Sequence, residues 1–146
     1  MIELARMNGE FASWNCQDIL INRYFDLIQV SSKISQIFSI EPSEILVVEE
    51  ITKYPVSKSI RILCQTQKLD GDFKQMISIY FRDKSLSSFL TYQAIGNFCE
   101  FFKCTCLISD DDNNPYSMIL IKGVDSYHKV YLSPELLEEE KYVLAG

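Results

Sequence analysis

Few residues in this chain have types that do chemistry, and their spacing excludes more than it admits. His128 is the only histidine, so any Ser-His-Asp or Cys-His arrangement must pass through it. It stands between Tyr127 and Lys129 with no nucleophile motif beside it. Cys104-Thr-Cys106 lacks the two-residue spacing of structural zinc sites, and no second pair exists. On an extended segment both sulfurs point to one face, where free cysteines act as small core residues. The run Asp110-Asp111-Asp112-Asn113-Asn114 starts like a calcium-binding EF-hand loop. However, Pro115 takes the glycine position and Ile121 the bidentate glutamate position. Asp and Asn are routine turn residues, so a solvated turn is the plainer reading. Glu49 and Glu50 alternate across an expected strand and do not converge on one substrate. The five glycines are isolated, which leaves no phosphate-cradling loop. These residues predict no metal, no cofactor and no enzyme. The alternative is a small enzyme or ligand-binding α+β domain with a pocket near His128, using Asp125 or a nearby cysteine.

Composition narrows the setting. A chain of 146 residues, 47% hydrophobic, predicts a single globular domain over 1–146 with a core of its own. Net charge is −6, the opposite of the balance that phosphate neutralisation requires, so nucleic acid is not an expected partner. The acidic surface suits solubility or a basic partner. No run reaches the ~20 apolar residues of a membrane span, and no membrane partner is expected. An odd cysteine count of five and the lack of any Asn-x-Ser/Thr site suit a reducing compartment. The first ten residues do not read as a signal peptide, so a cytoplasmic protein is expected.

The elements follow from periodicity. Leu20, Tyr24, Leu27, Ile34 and Phe38 recur near helical spacing and predict a helix from about Cys16 to Phe38, with Asn15 as its cap. Pro42 ends it. Ile45 to Ile51 is a β-branched strand, closed by Pro55. Asp70-Gly71 suits a two-residue type I′ hairpin loop. That loop pairs Ile60 with Phe81, Ile62 with Ile79 and Cys64 with Ile77. The other face, with Arg61, Gln65, Gln67 and Tyr80, is expected to stay at least partly exposed. Asp83 or Ser85 caps a second helix to about Lys103, with Leu86, Phe89, Leu90, Ala94, Phe98, Phe101 and Phe102 as its apolar stripe. Gly96 within that helix marks close backbone packing.

Three short strands follow from Cys104 to Leu132, the middle one unbroken from Met118 to Ile121 and so covered on both faces. Ser133-Pro134-Glu135 starts a last helix, and Lys141 to Leu144 is a short terminal strand. The order predicts an α+β fold. It is a two-layer sandwich of a largely antiparallel sheet of about six strands, with two long helices on one face.

The run Cys106-Leu-Ile-Ser-Asp110, Asn114-Pro115-Tyr116, Met118 to Ile121, and the ending Val130-Tyr131-Leu132-Ser133-Pro134-Glu135-Leu136-Leu137 carry a resemblance. Together they resemble the C-terminal half of small immunity proteins of bacterial polymorphic and contact-dependent toxin systems. The resemblance implies a cytoplasmic inhibitor that covers the active site of a toxin, often a basic nuclease. Those families differ widely in fold, and no functional residue transfers by position. From the residues themselves, the acidic, aromatic C-terminal hairpin is the expected partner surface: Asp110, Asp111, Asp112, Tyr116, Asp125, Tyr127 and His128.

Overall fold

The computed structural model describes residues 14–50, 56–110 and 113–145. In chain order the elements are β1 (Asn15–Ile21), α1 (Leu27–Phe38), β2 (Ile45–Val48), β3 (Ile62–Lys68), β4 (Asp70–Gly71) and β5 (Gln75–Phe81). There follow α2 (Tyr92–Phe102), β6 (Cys106–Ser109), β7 (Ser117–Gly123), β8 (Ser126–Tyr131), α3 (Pro134–Glu138) and β9 (Lys141–Tyr142). Seven strands form one sheet in the order β2-β3-β5-β1-β6-β7-β8. The pairs β1–β6, β6–β7 and β7–β8 are antiparallel, and β2–β3 is parallel. The fold is α+β, with a largely antiparallel sheet of seven strands rather than six. Among the described residues, one compact unit takes 14–17, 25–50, 56–66 and 78–90. The other takes 18–24, 67–77, 91–110 and 113–145.

In the first unit, α1 begins at Asp26. The Asp26 carboxylate accepts from Gln29 N–H at 2.8 Å, and the Gln29 side chain accepts from Asp26 N–H at 3.0 Å. This reciprocal cap is the true helix start. The single helix expected from Cys16 is therefore corrected: residues 15–21 are strand. Ile19, Leu20 and Ile21 are consecutive and all buried, which a strand with both faces covered satisfies and a one-faced helix does not. α1 ends on Ser39 in the left-handed region and buries Val30, Ile34 and Phe38. Phe38 meets Phe81 edge-on at 5.4 Å between ring centroids. β2 stops at Val48, with Glu49 and Glu50 in an exposed bend. The expected continuation to Ile51 and Pro55 lies outside the described residues.

The second face of β3 and β5 is partly exposed at Arg61, Gln65 and Gln67, but Tyr80 is buried. Leu63 and Tyr80 are buried together against Trp14, Leu46, Val48 and Val56. Arg82 closes this layer. Its guanidinium lies 4.8 Å over the Trp14 ring and donates to the carbonyls of Ser57 (2.7 Å), Ile60 (3.0 Å) and Val56 (3.3 Å). Arg61 bridges Glu44 at 3.2 Å and Asp83 at 2.7 Å. Of the face named for exposure, Gln67 alone is fully exposed.

The β3–β5 pairing keeps the predicted faces but not the predicted register. Leu69 N–H donates to Lys74 C=O and Arg82 N–H to Arg61 C=O, which displaces the partners by two residues. Cys64 then stands opposite Ile79, and Ile62 opposite Phe81. A two-residue shift preserves which side chains share a face, and Ile62, Cys64, Ile77, Ile79 and Phe81 are all buried. The cause is that Asp70-Gly71 is not a two-residue loop. Gly71, at φ 108°, belongs to β4, which pairs in parallel with β9. Asp72 adds a bond from its N–H to Tyr142 C=O, and its carboxylate accepts from Leu144 N–H, both at 3.0 Å. Long-range pairing with the chain terminus overrides the local turn preference.

In the second unit, β6, β7 and β8 form the expected meander. The long helix expected to about Lys103 is divided: a 3-10 turn (Lys84–Phe89) capped by Asp83 belongs to the first unit, and α2, with Thr91 as N-cap, its hydroxyl accepting from Ala94 N–H at 3.0 Å, belongs to the second. The division rotates the apolar stripe. Ile95, Phe98 and Cys99 are buried, while Phe89 and Phe101 stand in solvent. Gly96 seats α2: a Cβ there would lie 2.5 Å from Gly123 O and 2.7 Å from Val124 Cα, so backbone meets backbone. Leu20, Phe73, Leu107, Leu120 and Leu132 form the core on the opposite face of these strands. Ser133 caps α3 as expected, its hydroxyl accepting from Leu136 N–H. Among the described residues no helix is long and apolar enough to cross a membrane.

Candidate functional site

The β7–β8 hairpin carries the site. Its register pairs Ile121 with Tyr127, Leu120 with His128, Ile119 with Lys129 and Ser117 with Tyr131. Alternation therefore puts Tyr127, Lys129 and Tyr131 on the face that α2 meets, and His128 and Val130 on the core-side face. β8 is the last strand in the sheet order and is exposed at Ser126, Tyr127, His128, Lys129 and Tyr131. Tyr127 (48% exposed) and Tyr131 (49%) keep half their surface in water. Tyr92, the first residue of α2, meets Tyr127 edge-on with centroids 5.0 Å apart and planes at 64°. Such pairs hold rings in one orientation at about 1 kcal/mol beyond area burial.

The turn is built by hydrogen bonds from α2. Glu100 accepts from Val124 N–H, and Gly96 admits the Gly123–Val124 backbone. The other end of the hairpin is held by Asp110. Its carboxylate accepts from the Ser117 hydroxyl and lies 3.5 Å from Lys129 Nζ, with only 5% of the side chain exposed. Asp110 thus fixes the meander and offers little charge to a partner. Asp111 and Asp112 lie outside the described residues. Tyr116 is half-buried against the leucine core. Asp125 and His128 are exposed, and of the predicted set they stand with Tyr127 as the accessible members. Tyr92 and Tyr131 join this set from positions whose sequence pattern reads only as helix and strand. Negative charge following the hairpin in the chain comes from α3 and its end, where Glu135, Glu138, Glu139 and Glu140 are all exposed.

The alternative of a pocket at His128 gains nothing from the cleft in the first unit. That cleft, of about 370 Å³, is lined by Leu27, Ile28, Ser31, Ser32, Pro42 and Val47. It holds neither His128 nor a titratable side chain.

A second cluster was not legible from spacing. Cys104 and Cys106 do come together as alternation implied, but Cys99 of α2 joins them, and the three sulfurs lie within 4.8 Å of one another in the interior. Hydrogen bonding to Cys104, with burial, pushes the Cys99 thiol up to about 12. Hydrogen bonds to Cys104 and Cys99, then burial, hold the Cys106 thiol well above its usual range. Both are neutral thiols at neutral pH, so neither serves as a ready nucleophile. Comparison with known proteins finds no match to a family model, to a curated protein or to a solved structure.

Proposed function

We propose that this chain is a protein-binding module whose docking face is the outer edge of β8 with the adjoining end of α2. The observation that carries the reading is the half-exposed tyrosine group, Tyr92, Tyr127 and Tyr131, fixed on a braced hairpin. Tyrosines held this way give large amphipathic contact area at low entropic cost, which is why they recur in interface hot spots. Asp125 is exposed at the turn of that hairpin and His128 on its other face, and the exposed glutamates from Glu135 to Glu140 lie next in the chain. With a net charge of −6, they favour a basic partner by raising the encounter rate. The resemblance of residues 106–137 to immunity proteins supplies the biological form of the proposal: a cytoplasmic inhibitor of a basic bacterial toxin, nuclease-type chemistry included.

The test begins by capturing a partner with the purified chain and measuring kinetics against it. Tyr127→Ala should raise the dissociation rate at least about tenfold, as loss of an aromatic anchor does. Replacing Glu135, Glu138, Glu139 and Glu140 with Gln should slow association and flatten its salt dependence. Unchanged rates in both variants would remove this face from the interface.

A further inference from the structure

The three thiols play no part in the proposed interface, and their placement has its own chemistry. Cys99 lies in the last turn of α2, Cys104 follows the helix end, and Cys106 opens β6. Lys103, in the left-handed region at φ 54°, turns the chain back on itself, and Cys104 N–H donates to Cys99 C=O at 3.0 Å. That turn folds a helix residue and a strand residue around one point. All three residues are buried, and their sulfurs lie within 4.8 Å of one another. Thiolates that share one ion at ~2.3 Å sit roughly 4 Å apart, so little movement separates the observed cluster from a ligand set. Among the described residues no histidine or carboxylate joins the group. Cys99 Sγ donates to Ile121 C=O at 3.4 Å, which orients that sulfur.

We propose that Cys99, Cys104 and Cys106 form a three-sulfur site for one Cu(I) ion. Soft sulfur ligands select Cu(I) and Zn(II) over harder ions. Structural Zn(II) requires four ligands, whereas Cu(I) is satisfied by three or fewer. Binding forms Cu–S bonds and releases the displaced thiol protons to solvent, with no change of oxidation state. The raised thiol pKa values set the cost of that release.

The test is an anaerobic titration of the full chain with Cu(I) against a coloured Cu(I) chelator. The expected result is one equivalent withheld from the chelator, with an X-ray absorption spectrum showing a sulfur shell and no nitrogen or oxygen neighbour. Retention should strengthen about tenfold per pH unit for each proton displaced. Cys99→Ala, Cys104→Ala and Cys106→Ala should each weaken it by at least about tenfold, the low end of what even an outer-shell loss costs a metal site. Cys16→Ala and Cys64→Ala should leave it unchanged. Loss of Cu(I) to the chelator by the unmodified chain would overturn the site. Zn(II) held as tightly as Cu(I) would overturn its three-coordinate character. Both of these results come from the unmodified chain, so a variant that fails to fold does not blunt the test.

Discussion

In the first unit, Arg82 donates to three backbone carbonyls and covers Trp14, while Arg61 is held between Glu44 and Asp83. In the second, Tyr92, Tyr127 and Tyr131 stand half in water on a hairpin that Gly96, Glu100 and Asp110 hold in place. The first arrangement ties its part-exposed polar groups to backbone carbonyls and to one another at the edge of a buried layer. The second directs polar groups to bracing and leaves aromatic surface outward. Bonded polar groups help to fix a structure, whereas exposed tyrosines offer amphipathic contact surface; the first unit exposes Ile28 and Phe89 without such a tyrosine group. On the proposed reading, the second unit is the one that meets a partner.

The sharpest way to break this contrast is at Gly96. An alanine methyl there would meet backbone atoms that have no rotamer to change, so Gly96→Ala should destabilise by about 3 kcal/mol, at the upper end of overpacking. Chemical denaturation measures it. A cost below ~0.5 kcal/mol would mean that α2 is loosely seated and Tyr92 does not hold Tyr127.

Next comes Arg82→Met in the first unit. It removes donors from three carbonyls and should cost about 2–3 kcal/mol, whereas Tyr127→Ala in the second should cost within about 1 kcal/mol. Comparable melting shifts for the two would erase the distinction between a structural and an available side chain.

The thiols give a pH signature. Burial drives the Cys64 thiol upward, hydrogen bonding to Cys104 with burial pushes Cys99 up to about 12, and hydrogen bonds to Cys104 and Cys99 raise Cys106. Their folded-state pKa values exceed the unfolded value of ~8.5. The stability they contribute is therefore full below that value and is lost as pH rises toward the folded pKa. Melting temperature should fall above pH ~9, and Cys64→Ala should reduce the slope. A flat profile to pH ~11 would contradict the burial of these groups.

The smallest expected effect is at Asp83. The Ser85 hydroxyl and then Arg61 hold its carboxyl below the usual range. That contribution is present above the unfolded pKa of ~3.9 and lost as pH falls through the folded value. Both partners are about a third exposed, so screening leaves at most ~0.5 kcal/mol. Asp83→Asn should shift the acid limb of a melting curve slightly and leave neutral pH almost untouched.

What the sequence made legible was local. The β6–β7–β8 meander and the Ser133 cap follow from short-range pattern, and the buried faces of β3 and β5 survive because two-residue displacements preserve parity. Long-range choices were hidden. Residues 15–21 look helical until the sheet claims them, Asp70-Gly71 looks like a tight turn until β9 pairs with it, and nothing in the spacing joins Cys99 to Cys104 and Cys106 until the Lys103 turn brings them together. For the site, Tyr127, His128 and Asp125 were readable as exposed turn and strand residues. The inward role of Asp110 was not, because it depends on Ser117 and Lys129 across two strand pairings.

The claim that the β8 edge is the docking face is tested most directly by placing a photo-crosslinking residue at position 127 and, in a separate chain, at exposed position 58 of the first unit. The account predicts one dominant protein adduct at position 127, with a basic partner, and none at position 58. An adduct of the same partner at position 58 alone, or at neither position while the unmodified chain still captures that partner, would contradict it.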